Sequence, residues 1–328
     1  MNKINILLLI FMPTIFFGFQ SSCAQTTYHT PWYVAGVEEK TLPIPPQGGQ
    51  YLHSTYNSNL LNQDIGFVIY LPPTYFGQPT KKFPLIVDLH GAETAYFDYA
   101  FWTGHYYTEA MQIGTLPEAI VVFPNGLCGP WNDTLQGGAY WLDYYDPGVG
   151  YPGKVETTII TELLPYLEMA YRVGTKKENK AIVGFSMGGY GAVRYAILSQ
   201  KFGSCTSLDG ALRKKENVSI SETYMRANNK NFALAQANSI YNIYSDNREK
   251  AKNIPFYLIT AEGSNWPNVN WAPDAQELAN MMTADGITNT YEYIPGIDHD
   301  HSAFWDLRKT QIFSFIRSYL VLPTGKNQ

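Results

Sequence analysis

Cysteine is scarce in this chain: of 328 residues only Cys23, Cys128 and Cys205 carry thiols. No zinc or iron–sulfur ligand set can be built from three scattered cysteines, and at most one disulfide, Cys128 with Cys205, is open to the part beyond residue 24; two buried free thiols fit equally well. Charge is sparse as well, at 16% of residues with a net of -5, and the sequence holds no basic run interleaved with aromatics. The Lys-Lys pairs at 81–82, 176–177 and 214–215 are isolated. A phosphate-attracting surface is therefore not expected, and nucleic acid is excluded as a partner class. Long apolar runs are missing beyond the first 20 residues. There, Lys3 precedes the apolar stretch Ile4 to Phe19, and the small residues Ser22-Cys23-Ala24 precede Gln25. That order reads as a signal peptide over 1–24 and hence as export to the periplasm or the exterior. Pro13 and the shortness of the stretch argue against an integral membrane span, which needs roughly 20 apolar residues. Lipid anchoring at Cys23 is the lesser alternative, because Gln20 stands where such signals carry an aliphatic residue.

What is abundant is apolar and aromatic: 45% and 15% of residues, with 25 tyrosines. One sizeable core is expected, hence one catalytic-sized domain over 66–322, preceded by an extended or β lead-in over 25–65 and followed by a tail over 323–328. The lead-in is rich in proline and carries Gly48-Gly49. "GFVIYL" (66–71), "FPLIVDL" (83–89) and "AIVVF" (119–123) read as strands, the last two as strands covered on both faces because they are continuously apolar. Residues 127–154 form a long Gly-, Trp- and Tyr-rich connection of the kind that walls an active site. Residues 155–171 show helical spacing that Pro165 should interrupt. The polar stretch 211–250 suggests helices or a small cap. Further on, "PFYLITA" (255–261) and Thr290 to Ile294 read as strands, and Ala272 to Asp285 and Phe304 to Leu320 as helices. Strands alternating with helices predict an α/β fold with a mostly parallel central sheet and helices on both faces.

The most informative unit is Lys180 to Leu198: a buried strand, the turn Gly184-Phe185-Ser186-Met187-Gly188, then a helix. G-x-S-x-G in that context is a nucleophile elbow, because a serine on a strand-to-helix turn needs neighbours without side chains two residues before and after it. Its alternative is a glycine-rich helix start that Ser186 merely caps. An oxyanion needs two donors, and the amides of Met187 and of Ala92, or of Glu93, are placed to supply them after His90-Gly91. His90 reads as a loop tie, and Asn125-Gly126 as part of the same rim.

The base should come late, after the last strand, where "GIDHDHSAFW" offers His299 and His301. Counting forward from the strand favours His299, and counting back from Trp305 favours His301. The acid is expected after the strand 255–261, from Glu262 at its end or Asp274 at the next helix, with Asp298 and Asp300 as lesser choices. Asp274 has a plain alternative as a first-turn charge on the helix dipole. Aromatic loops 96–107 and 127–146, with Trp131, Trp141 and Asn125 as substrate-binding residues, would dock the ester, although packing alone explains many such rings.

The segments "VIYLPPTY", "FPLIVDLHG", "AIVVFPNG", "AIVGFSMGGYGAVRYA", "KFGSCTSLDGAL" and "YIPGIDH" together make the chain resemble an esterase family of the α/β-hydrolase superfamily. That family includes feruloyl and acetyl-xylan esterases, S-formylglutathione hydrolase and mycolyltransferases. The resemblance runs from about Gly66 to Leu320 and implies an α/β-hydrolase fold, Ser186 as nucleophile, amides near Ala92 and Met187 as oxyanion hole, and one of the two histidines as base. It implies a serine esterase acting on a small-molecule or polysaccharide-linked ester, with no cofactor and no metal. An acyltransferase using the same serine, or a carbohydrate-binding protein that keeps the fold without turnover, are the alternatives. Relatives often place their acid in Gly-x-x-Asp after the penultimate strand; here Gly263-Ser264-Asn265-Trp266 has tryptophan at that place.

Overall fold

The computed structural model describes residues 48–92, 94, 96–126, 140–146, 151–214, 216–217, 222–263 and 271–323. Residues 1–24, read as a signal peptide and including Cys23, as well as Glu93, Cys128 and Trp131, lie outside the described residues.

Strands form on β-branched, apolar runs such as 85–89 and 120–124, and also on more polar sequence such as 50–58 and 204–208. They are β1 (Gln50–Ser58), β2 (Gln63–Leu71), β3 (Leu85–Leu89), β4 (Ile120–Pro124), β5 (Asp143–Asp146), β6 (Tyr151–Lys154), β7 (Lys180–Phe185), β8 (Ser204–Leu208), β9 (Phe256–Gly263) and β10 (Asn289–Asp298). Eight of them make one sheet in the order β1-β2-β4-β3-β7-β8-β9-β10, while β5 and β6 pair as a separate ribbon. β2 runs antiparallel to both its neighbours, and every pairing from β4 through β10 is parallel. This is the α/β-hydrolase fold.

Alternation along the central strands assigns side chains to two cores. Leu85, Val87 and Leu89 of β3, Ile120 and Val122 of β4, and Ile182 of β7 belong to one cluster. Ile86, Val121, Phe123, Ala181 and Val183, one residue out of phase, belong to the other. Both faces are therefore dry, as a parallel sheet flanked by helices requires. Helices Tyr96–Gln112 and His301–Tyr319 contribute to the second cluster, and Met187–Ser199 and Ala272–Ala284 to the first.

β1, inside the lead-in read as extended or β, pairs along its full length with β2. One strand departs from the sequence reading. β8 was not evident because "SCTSL" is small and polar, yet all five residues are buried. The predicted interruption near Pro165 is present: helix 155–158 gives way to a π-helical stretch, Ile159–Leu163, before helix Leu164–Ala170 with the proline in its first turn. A proline has no N–H to give back to the preceding turn, so the hydrogen-bond ladder must re-register there. Cys205 is a buried free thiol in β8, so the disulfide alternative does not hold for it. No helix among the described residues is long and apolar enough to cross a membrane.

Candidate active site

The site is built at the carboxyl ends of β7, β8 and β10. Ser186 leaves β7 with φ 58° and ψ -118°, a backbone conformation that is costly for any residue with a side chain. Only glycine can flank so tight a turn: a Cβ on Gly184 would lie 2.2 Å from the carbonyl oxygen of Gly188, and one on Gly188 would lie 1.9 Å from that of Leu89. The predicted elbow is thus realised, and Ser186 does not act as a helix cap through its side chain.

The elbow is laced to the turn after β8. The Ser186 amide donates to the Leu208 carbonyl at 2.9 Å, and the Ser186 carbonyl accepts from Tyr190 at 3.1 Å and from Ala211 at 3.0 Å. Between Leu208 and Ala211 stands Asp209, only 2% exposed and held at φ 42°. Its own amide donates to Ile259 at 2.7 Å, and its Oδ1 accepts the amide of Ala261 at 3.2 Å. These bonds aim Oδ2 at His299, whose Nδ1 lies 2.6 Å away. His299 Nε2 lies 2.9 Å from Ser186 Oγ. With a carboxylate facing Nδ1, the proton of the neutral ring belongs on Nδ1, and Nε2 is left to accept from the serine. The imidazole is stacked on Phe185, with ring centroids 4.6 Å apart and planes at 21°, and Trp271 meets it edge-on at 4.7 Å.

The structure therefore brings together Ser186, His299 and a residue that the sequence reading did not name. Asp274 is not the acid partner: its carboxylate accepts from the Lys214 amide at 3.0 Å and from Asn217 Nδ2 at 3.2 Å, anchoring the loop beyond Asp209 from the first turn of its helix. Glu262 is not either: it is exposed and accepts the Gly296 amide at 2.6 Å, tying β9 to an irregular stretch of β10. Asp298 accepts the amide of His299, and Asp300 caps the last helix by accepting from Ser302 and Ala303.

His301 is likewise not the partner of Ser186. As the first residue of that helix it turns inward, where Nε2 accepts the indole N–H of Trp305 at 3.0 Å and sits 3.2 Å from Thr103 Oγ1. Burial lowers its pKa to about 4, so it stays neutral. The count back from Trp305 thus leads to a histidine bonded to Trp305 rather than to Ser186.

The loop after β3 faces the serine from the other side. A Cβ on Gly91 would lie 3.4 Å from the Cβ of Ser186, so backbone passes close to the serine, with Ala92 next in the chain. His90 fixes this loop: Nε2 accepts the Gly126 amide at 3.0 Å, and Nδ1 donates to the Gly91 carbonyl at 2.8 Å. Its pKa is lowered to about 4 by burial. Met187 opens the helix after the elbow, where the first amides have no partner within the helix.

Trp141, expected among the substrate-binding residues, is instead packed into the core. It is fully buried, its Nε1 donates to the His90 carbonyl at 3.2 Å, and its ring packs against His90 with centroids 4.8 Å apart. The space left by Gly126 and Gly191 is filled by the same indole. Asn125 is buried just past the end of β4, beside Gly126. Among the described residues no group of three or more His, Cys, Asp or Glu is placed to hold a metal ion.

Fold and site together define an α/β-hydrolase with a serine, a histidine and an aspartate in line. The family model described as "Putative esterase" matches residues 58–308, and the chain belongs to that esterase family. Esterases from two strains of Mycobacterium tuberculosis are each 29% identical to it over 143 residues, 43% of this chain and 28% of theirs. The match thus spans little more than a quarter of those relatives. Among solved structures, a ferulic acid esterase covers 83% of this chain and 99% of its own, with a TM-score of 0.67 and 20% identity. An S-formylglutathione hydrolase from Agrobacterium tumefaciens covers 84% and 97%, with a TM-score of 0.69 and 18% identity.

Proposed function

We propose that the chain is an exported carboxylic-ester hydrolase that works through an acyl-enzyme on Ser186. The observation that carries this reading is the unbroken relay from Ser186 Oγ to His299 Nε2 at 2.9 Å and from His299 Nδ1 to Asp209 Oδ2 at 2.6 Å. His299 takes the serine proton as Oγ attacks the ester carbonyl. Asp209 holds the imidazole in the required tautomer and stabilises the imidazolium that forms. The oxyanion is received by the amides of Met187 and Ala92, each such donor being worth roughly 3 kcal/mol. The imidazolium then gives its proton to the departing alcohol. A water activated by the same ring releases the acid, so the serine is regenerated without cofactor or metal.

The ester is proposed to be a feruloyl or acetyl group on a polysaccharide outside the cytoplasm. Support comes from the leader-like residues 1–24 and from the ferulic acid esterases among proteins of the same fold. Incubation of the mature protein with a fluorophosphonate, followed by peptide mapping, should find one adduct on Ser186. Methyl ferulate and 4-nitrophenyl acetate should both be turned over. A folded protein that takes no label and cleaves neither ester would leave the binding-protein reading in its place, and transfer to an added sugar faster than to water would favour an acyltransferase.

A further inference from the structure

Among the described residues, the buried Lys180 and the largely buried Arg194 are paired with carboxylates, whereas Arg213, close to His299 through Trp271, is not. Lys180, 1% exposed, lies 2.7 Å from Glu168, and Arg194 lies 2.8 Å from Glu156. Arg213, 5% exposed on the loop that begins at Asp209, has no carboxylate within ion-pairing distance among the described residues. Its guanidinium lies 5.3 Å from the ring centroid of Trp271 and 5.9 Å from that of Tyr140. Nη1 donates to the Tyr140 hydroxyl at 3.1 Å, while Nε is buried without an acceptor. The indole N–H of Trp271 is buried without an acceptor too.

A guanidinium cannot shed its proton to escape burial, and aromatic faces offset only part of its lost hydration. A buried arginine lacking an anion is therefore poised for one that arrives from outside. Its place says which. Trp271 is in contact with both the guanidinium, at 5.3 Å, and the His299 ring, at 4.7 Å, so one shared indole links the cation to the proposed base. The loop is not free to carry the charge away: Asp209 is fixed at one end, and beyond Arg213 the Lys214 amide is bonded to Asp274.

We infer that Arg213, with Trp271, recognises a carboxylate carried by the ester substrate. The inference rests on Ser186 being the nucleophile, and it narrows the substrate to esters with an acidic substituent in the acyl or the alcohol half. The planar fork of the guanidinium suits a carboxylate, and the unpaired indole N–H offers a further donor alongside it.

Two ester pairs test it: the 4-nitrophenyl half-ester of adipic acid against its methyl ester, and 4-butyryloxybenzoate against its methyl ester. The wild type should favour the carboxylate member of one pair by tenfold or more in kcat/KM. That preference should fall with added salt, and the pair showing it identifies the half that bears the charge. Arg213→Lys should keep part of the preference, and Arg213→Met should lower the charged-to-neutral ratio at least tenfold. No preference in either pair by the wild type overturns the inference while leaving the hydrolase reading intact. Should neither pair be hydrolysed, calorimetry on Ser186→Ala protein with 4-hydroxybenzoate and adipate against their methyl esters still decides. Tighter binding of either acid supports the Arg213 site, and equal or weaker binding sinks it, whatever fluorophosphonate labelling says of Ser186.

Discussion

Asp209 reaches His299 from the strand adjacent to the one that leads into Ser186, its Oδ2 lying 2.6 Å from the histidine Nδ1. Because the turn carrying Asp209 also accepts and donates the backbone bonds that hold Ser186, Ser186 and Asp209 are braced by one piece of chain. The histidine arrives separately, at the end of β10, and is seated by stacking on Phe185.

Removing the carboxylate should separate Asp209 from its rivals. Asp209→Asn is expected to cost roughly 10³- to 10⁴-fold in kcat with little change in thermal midpoint, since the tautomer is lost while the fold is kept. Glu262→Gln should change kcat by less than about threefold. Asp274→Asn should act on stability, at about 1–3 kcal/mol, because it weakens the anchor of Lys214 and Asn217. Steady-state kinetics on 4-nitrophenyl acetate with parallel melts measure all three. Inactivation by either of the last two changes in a folded protein would contradict the geometry.

Strain at the elbow has its own signature. With φ 58° and ψ -118° at Ser186, the conformation costs about 1–3 kcal/mol for a residue with a Cβ. Ser186→Gly should therefore be more stable than Ser186→Ala, against the usual glycine penalty of roughly 0.5–1 kcal/mol. Urea titration of both inactive variants gives the difference, and the opposite order would mean that the turn is relaxed.

Acid sensitivity should trace partly to His301. Its folded pKa, lowered to about 4, lies below the ordinary value of 6.5, so between those pH values the unfolded chain binds the extra proton. Stability conferred by the neutral ring is then complete above about 6.5 and declines as pH falls towards 4. His90, lowered for the same reason, adds a second decline of the same sign. Asp88 opposes both: burial raises its pKa to about 7 from 3.8, so it favours the folded state as pH falls from 7 towards 4. Two histidines against one carboxylate leave these three groups a net loss towards acid. His301→Gln should flatten the decline in melting temperature between pH 6.5 and 4, with the esterase still active at pH 8. His299→Gln should abolish activity instead.

Trp141 tests packing against substrate contact. Since the indole is fully buried against His90 and Gly191, Trp141→Ala should destabilise by about 3–5 kcal/mol. Trp141→Phe should keep the preference among acyl groups while losing some stability. A changed acyl preference without loss of stability would return Trp141 to the pocket wall.

The elbow was readable because its requirement is local: two missing side chains around a serine, between an apolar strand and a helix, can be seen in five consecutive letters. The central strands were readable for a related reason, since a sheet buried on both faces demands uninterrupted apolar runs. Asp209 was not readable in the same way. It follows β8, whose small polar residues hide a fully buried strand, and the expectation of an acid after the next strand drew attention to Glu262 and Asp274. An aspartate followed by glycine, one β-strand past the helix that Ser186 leads into, was the available signal.

The order of residues alone thus determined a doubly covered sheet, a serine forced into a strained turn, and two histidines within reach near the end of the chain. Which imidazole faces Ser186 was decided in three dimensions: the helix begins at 301, turning one ring inward to Trp305, and leaves the other at the strand end beside the serine. The acid was decided the same way. Parallel strand order, a long-range property that no local spacing encodes, sets the carboxyl ends of β8 and β10 within one hydrogen bond of a shared ring.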